Sequence, residues 1–149
     1  MNSIQKPLHL TAALISLLFI ISFWLSSVIA ELFLSHNAIA MVKHTIVWSL
    51  VIFIPAIAIT GGTGLAMAKE NHHHLLIAKR QRMPLIAMTG VLLLIPAALF
   101  LNAKAQVNQF DLIFYSVQAI ELLAGASNLL LISMNIRDGL SITRLDKAA

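Results

Sequence analysis

The sequence predicts an all-α integral membrane protein, an antiparallel four-helix transmembrane bundle with both termini cytoplasmic. Three observations predict it. Hydrophobic residues make up 59% of the chain and charged residues 11%, against about 45 to 50% apolar and about 25% charged in soluble domains. Four apolar runs, at about residues 10–34, 44–68, 84–103 and 111–134, each supply the ~20 residues that a helix needs to cross a bilayer. The basic residues, finally, are sorted by loop. The runs are continuous rather than alternating, and lipid cannot satisfy an open backbone, so each is read as a helix and not as a barrel strand. They use up most of the 149 residues, and a single transmembrane domain over residues 1–149 is expected.

The first run follows Lys6 and contains VIA, residues 28–30, which resembles a small-residue cleavage site ahead of Glu31. Its apolar stretch exceeds the roughly 7 to 15 residues of a signal-peptide core, so a retained helix is expected. In the second run Pro55 removes a backbone hydrogen bond and is expected to kink the helix. Ala56, Thr60, Gly64 and Ala68 recur there every four residues, a small-residue face that lets another helix approach closely. Pro84 is expected to open the third helix, where a missing N–H is harmless, and Pro96 to kink it.

Lys6, the loop with Lys69, Lys79, Arg80 and Arg82, and the tail with Arg137, Arg144 and Lys147 fall on one side of an even-span topology. Lys43 and Lys104 fall on the other. Loops rich in Lys and Arg stay in the cytoplasm, which places both termini there. The formal charge of +4 thus reports orientation and not nucleic-acid binding. The lipid bilayer is the expected partner, with KRQR at residues 79–82 touching anionic headgroups.

The fourth run carries the main polar feature. On a helical wheel Asp111, Gln118, Glu121, Gly125, Asn128 and Asn135 share one narrow stripe. A charge near the bilayer centre costs at least ~2.5 kcal/mol on insertion scales, so the stripe is expected to face the bundle or a partner subunit. At a rise of about 1.5 Å per residue, Glu121 lies about 15 Å below Asp111, near the midplane, level with Trp24 and Pro55. Ser22, Ser26 and Ser27 are within about one turn of that level. No Lys, Arg or His of the four runs reaches it, so a lone, protonated carboxyl is expected at Glu121. Three roles follow from the intramembrane polar site formed by Gln118, Glu121, Asn128 and Ser26: packing through hydrogen bonds, exchange of a proton or cation as in transporters, or contact with another copy or a different membrane subunit.

Six histidines occur. Paired imidazoles on facing helices can hold b-type haem, and His9, His36 and His44 are the candidate ligands, all near membrane edges. Glu31, His36 and His44 form a further candidate cluster on the outer side. The adjacent His72, His73 and His74 cannot readily converge on one ion, so no metal site is expected. The absence of cysteine excludes disulfides, thiolate metal sites and cysteine nucleophiles. No nucleotide loop, HExxH or nucleophile motif is present, which disfavours an enzyme.

The stretches SHNAIAMVKH, TGGTGLAMAK, KRQRMPLIAMTG, IPAALFL and FDLIFYSVQAIELLAGASNLLLISMNIRDGL resemble an uncharacterised family of small bacterial four-span inner-membrane proteins. The resemblance covers most of the chain after the first helix and implies a bacterial inner-membrane location, with no activity attached. The four-helix small multidrug transporters also use a membrane-embedded glutamate, but on their first helix, whereas here it is on the fourth. The resulting expectation is a non-enzymatic assembly or accessory protein centred on Glu121. The alternatives are a small proton- or cation-coupled transporter and a b-type haem electron-transfer protein.

Overall fold

The computed structural model describes the backbone of residues 4–69 and 74–148 and the side chains of residues 4–66 and 81–141. These residues are helical almost throughout: α1 (Gln5–Phe33), α2 (His36–Lys69), α3 (His74–Thr89), a π-helical turn (Gly90–Leu94), α4 (Ile95–Gln106) and α5 (Leu112–Ala148). Four helical segments, Gln5–Phe33, His36–Ala66, Gln81–Gln106 and Leu112–Ser141, are long and apolar enough to cross a membrane. Large apolar side chains such as Leu18, Trp48, Leu92 and Leu123 stand exposed around the outside, as a lipid-facing surface requires.

Each helix turns a narrow face inward. On α2 the buried positions are Ile39, Lys43, Ile46, Leu50, Phe53 and Ala56, spaced by three or four residues, and Gly64 further along. On α1 they are Ala12, Ser16, Ser27 and Ala30. The most extensive pairing is between α1 and α2, which are joined by a short turn in which Ser35 Oγ accepts a hydrogen bond from the Ala38 N–H. His9 lies beside Thr63 and Ser27 beside Lys43, so the start of α1 meets the end of α2. The tightest packing is at the end of the bundle that carries this turn, where Ala30, Ile39, Leu101, Ala105 and Phe114 form one core cluster. Phe19, Phe23 and Phe53 stack edge to face halfway along.

The α4–α5 connection is built on the same end. Asn108 adopts a left-handed backbone (φ 56°), a conformation that asparagine tolerates better than most residues. Asp111 caps α5, its Oδ1 accepting from the Phe114 N–H at 2.9 Å, and its other oxygen pairs with Lys104. The Lys104 ammonium and the capped N–H hold the Asp111 carboxyl below its ordinary range.

Three local expectations change. Helix α2 begins at His36, not near residue 44, so Lys43 lies about two turns inside it instead of in a loop. Helix α3 begins at His74, which puts Pro84 inside it rather than at its start. Pro96 is preceded by the π-helical turn, in which the Ile95 N–H bonds to the Gly90 carbonyl, so the helix accommodates the proline by widening. Lys69, His72, His73, His74, Lys79, Arg80, Arg144 and Lys147, together with Ala68 of the small-residue face, fall outside the described side chains.

Candidate intramembrane ion site

Glu121 has a cation partner. Lys43, only 1% exposed, places its Nζ 2.6 Å from Glu121 Oε2, linking α2 to α5. The same ammonium donates to Ser27 Oγ of α1 at 3.2 Å, and Gln118 Nε2 donates to Glu121 Oε2 at 3.1 Å. Lys43 therefore overturns the expectation of a lone carboxyl. Its ammonium is held inside the bundle by Glu121 and Ser27 instead of reaching water, the opposite of the usual placement of a lysine head.

Ser26 does not join this cluster. Its hydroxyl donates to the Phe23 carbonyl of its own helix, and the neighbouring Ser27 holds the inward position. One helical turn beyond Ser27 stands Glu31, which lies within electrostatic reach of Lys43, Glu121 and His36. Its Oε1 is buried without a hydrogen-bond partner. A second acid thus lies near the Lys43–Glu121 pair, beyond ion-pair distance of the ammonium.

The polar stripe of α5 faces the bundle. Gln118, Asn128 and Asn135 are buried, and Asp138 continues the row at 5% exposure. The Asn128 amide donates to the Ile86 carbonyl at 3.4 Å, and one oxygen each of Gln118, Asn128 and Asn135 is buried without a partner. Asp111 departs from the expected stripe, being the exposed cap of α5. Arg82, the last residue of the KRQR cluster, reaches Asp138 at 2.6 Å and ties α3 to α5.

Gly125 marks where α1 comes closest to the stripe. Trp24 of α1 donates its indole N–H to the Leu122 carbonyl at 2.9 Å, and a Cβ at Gly125 would stand 2.9 Å from Trp24 Cδ1. Gly125→Ala is therefore expected to displace the indole and lower stability by about 1–3 kcal/mol. Thermal unfolding in detergent, read with tryptophan fluorescence, checks this; an unchanged midpoint and spectrum would show that the ring has room to move.

Trp24, Ser27, Glu121, Gly125 and Asn128 line a cavity of about 80 Å³, together with Gly90 and Leu94 of the π-helical turn and Ile95 at the start of α4. π-Turns of this kind recur at functional sites because they displace one helical register locally. Here the turn borders the space beside the ion pair.

The histidines are dispersed. His9 shares a hydrogen bond with Thr63 Oγ1 at 2.9 Å. His36 stacks on Phe110 with ring centroids 4.1 Å apart, and His44 accepts from the Trp48 indole at 2.9 Å. His9 and His36 stand at opposite ends of the bundle, while His36 and His44 lie about 12 Å apart along one helix, so these residues do not form a facing pair. Among the described residues no group of three or more His, Cys, Asp or Glu side chains is arranged to hold a metal ion.

Fold and site together define a class: an all-helical chain with four helices able to cross a membrane and a buried acid–lysine cluster between them. No protein-family model, no characterised protein and no solved structure matches the chain.

Proposed function

We propose that the chain is a small bacterial inner-membrane transporter, an antiparallel four-span bundle with both termini cytoplasmic, that exchanges a proton or a small monovalent cation at the Glu31–Lys43–Glu121 cluster. The observation that carries this reading is the buried Lys43–Glu121 ion pair, with a second acid, Glu31, close enough to feel its field. With all three groups ionised the cluster holds one negative charge in excess. In a medium of low dielectric an unbalanced charge is costly, and a mobile positive charge relieves it.

Size selects the cargo at this level. The adjoining cavity of about 80 Å³ is far below the roughly 300 to 1,000 Å³ of organic-ligand pockets. It suits water and a proton or a bare ion. The orientation rests on Lys6, Arg82 and Arg137 near one end and Lys104 near the other, by the positive-inside rule. An assembly role for the stripe has less support, because Gln118, Asn128 and Asn135 are already buried within one chain.

The test is flux in proteoliposomes carrying an internal pH-sensitive dye, with an imposed potential and with sodium or potassium as the external cation. Wild type is expected to move protons or one of these ions well above protein-free vesicles. Glu121→Gln, with its elution profile and helicity retained, is expected to return flux to background. Wild-type vesicles as tight as empty ones to all three ions would overturn the proposal.

A further inference from the structure

We infer that the ion site is reached from the end of the bundle bearing His9, Arg82 and Asp138, through a second, water-filled cavity closed off from the first by Ile20 and Ile57. This inference rests on the proton-exchange reading above and adds a route to it. The second cavity has a volume of about 310 Å³ and is lined by His9, Ser16, Thr60 and Asn135 among apolar side chains. Ile20 and Ile57 line both cavities, so the two spaces approach each other across these side chains. Ile86 lines the second cavity, and its carbonyl accepts the Asn128 amide, a residue that lines the first. Ile20 and Ile57 therefore stand between the two spaces, with the Asn128–Ile86 hydrogen bond beside them.

Apolar side chains make most of both walls, and a short row of polar groups among them offers water its partners. A water needs about 10–15 Å³ of such volume and two to four polar partners. The second cavity offers the Ser16 and Thr60 hydroxyls, which lie 3.4 Å apart, together with the His9 ring and the Asn135 amide. The first offers Ser27, Glu121 and Asn128. The buried, unpartnered oxygens of Gln118, Asn128 and Asn135 continue this row of acceptors along α5. Toward the opposite end Ala30, Leu101 and Phe114 form the core cluster, and a separate groove between α1 and α2 that shares Phe23 and Ile46 with the first cavity is the competing route.

The charged groups along the route are few. Glu31 of α1 and Lys43 of α2 face Glu121, and His36 acts on Glu31. His9 of α1, which lines the second cavity, and Arg82 of α3 with Arg137 and Asp138 of α5 stand at the far end of the bundle. On α4 Lys104 is engaged by Asp111 at the turn end. A proton moving from the far end therefore meets no described charged side chain between the Arg82–Asp138 pair and the cluster.

The chain has no cysteine, so single-cysteine variants report accessibility without background. Ser16→Cys in the second cavity and Leu94→Cys in the first would be treated with a membrane-impermeant thiol reagent in right-side-out and inside-out vesicles. Ser16→Cys is expected to react at least tenfold faster from the side of the termini. Leu94→Cys is expected to react slowly, and at least tenfold faster from that same side once Ile57→Ala opens the partition. Ala13→Cys, on another wall of the second cavity, replaces Ser16→Cys should that variant fail to fold. Labelling of Leu94→Cys only from the opposite side, or no gain from Ile57→Ala, would overturn the route. Labelling does not depend on flux, so the expected pattern in a protein that moves no ion would retain the route and reject the transport reading alone.

Discussion

Replacing Lys43 with methionine is expected to destabilise the fold by about 3–5 kcal/mol, because it leaves Glu121 buried beside Gln118 without its counter-charge. Methionine keeps most of the stem volume, so the loss reports the ammonium and not a cavity. Its two contacts, to Glu121 Oε2 at 2.6 Å and to Ser27 Oγ at 3.2 Å, both disappear. Glu121→Leu removes the acid and leaves the ammonium, 1% exposed, in the same position of need. The double variant Lys43→Met/Glu121→Leu removes both charges together and is expected to recover most of the stability, since an apolar pair of similar volume can replace a buried ion pair with little loss. Denaturant or thermal unfolding in mild detergent measures the four corners of this cycle. Strictly additive losses would mean that the two side chains do not stabilise each other, and the cluster would lose its standing as a unit.

Much of the architecture could be read from hydropathy alone, because a bilayer demands long apolar helices whatever their partners. The inward direction of Gln118, Asn128 and Asn135 followed from the same demand. Lys43 was missed because its charge trimmed the apolar run to residue 44 and turned a helix-interior residue into a presumed flank. Its spacing held the correction: Ile39, Lys43, Ile46, Leu50 and Phe53 recur at helical intervals on the face that proves buried. Depth does not separate Ser26 from Ser27, yet one residue is about 100° of helix rotation, and the inner face of α1 set by Ala12, Ser16 and Ala30 takes Ser27. The Arg82–Asp138 pair lay beyond the apolar runs, where hydropathy has nothing to say about contacts. Pro96 announced a disturbance, but the choice of a π-turn and the cavity beside it depend on how α2 and α5 pack.

Glu31→Gln is expected to abolish ion flux, by at least tenfold, while leaving the unfolding midpoint close to that of the native chain. The two carboxyl groups are not equivalent. Glu121 is fixed by Lys43 and Gln118, so neutralising it disturbs a hydrogen-bonded pair. Glu31 shares the field of Lys43 and Glu121, yet its Oε1 is buried without a hydrogen-bond partner. Removing its charge leaves a balanced Lys43–Glu121 pair and no excess negative charge to draw in a cation. The charge argument therefore makes Glu31 the member whose loss stops transport without loosening the bundle. Dye-loaded proteoliposomes and thermal unfolding of the same preparation measure both quantities. Flux that persists in Glu31→Gln but vanishes in Glu121→Gln would confine the exchange to the Lys43–Glu121 pair. The mobile charge would then have to displace the ammonium from Glu121 and break the 2.6 Å contact, instead of neutralising a second acid beside it.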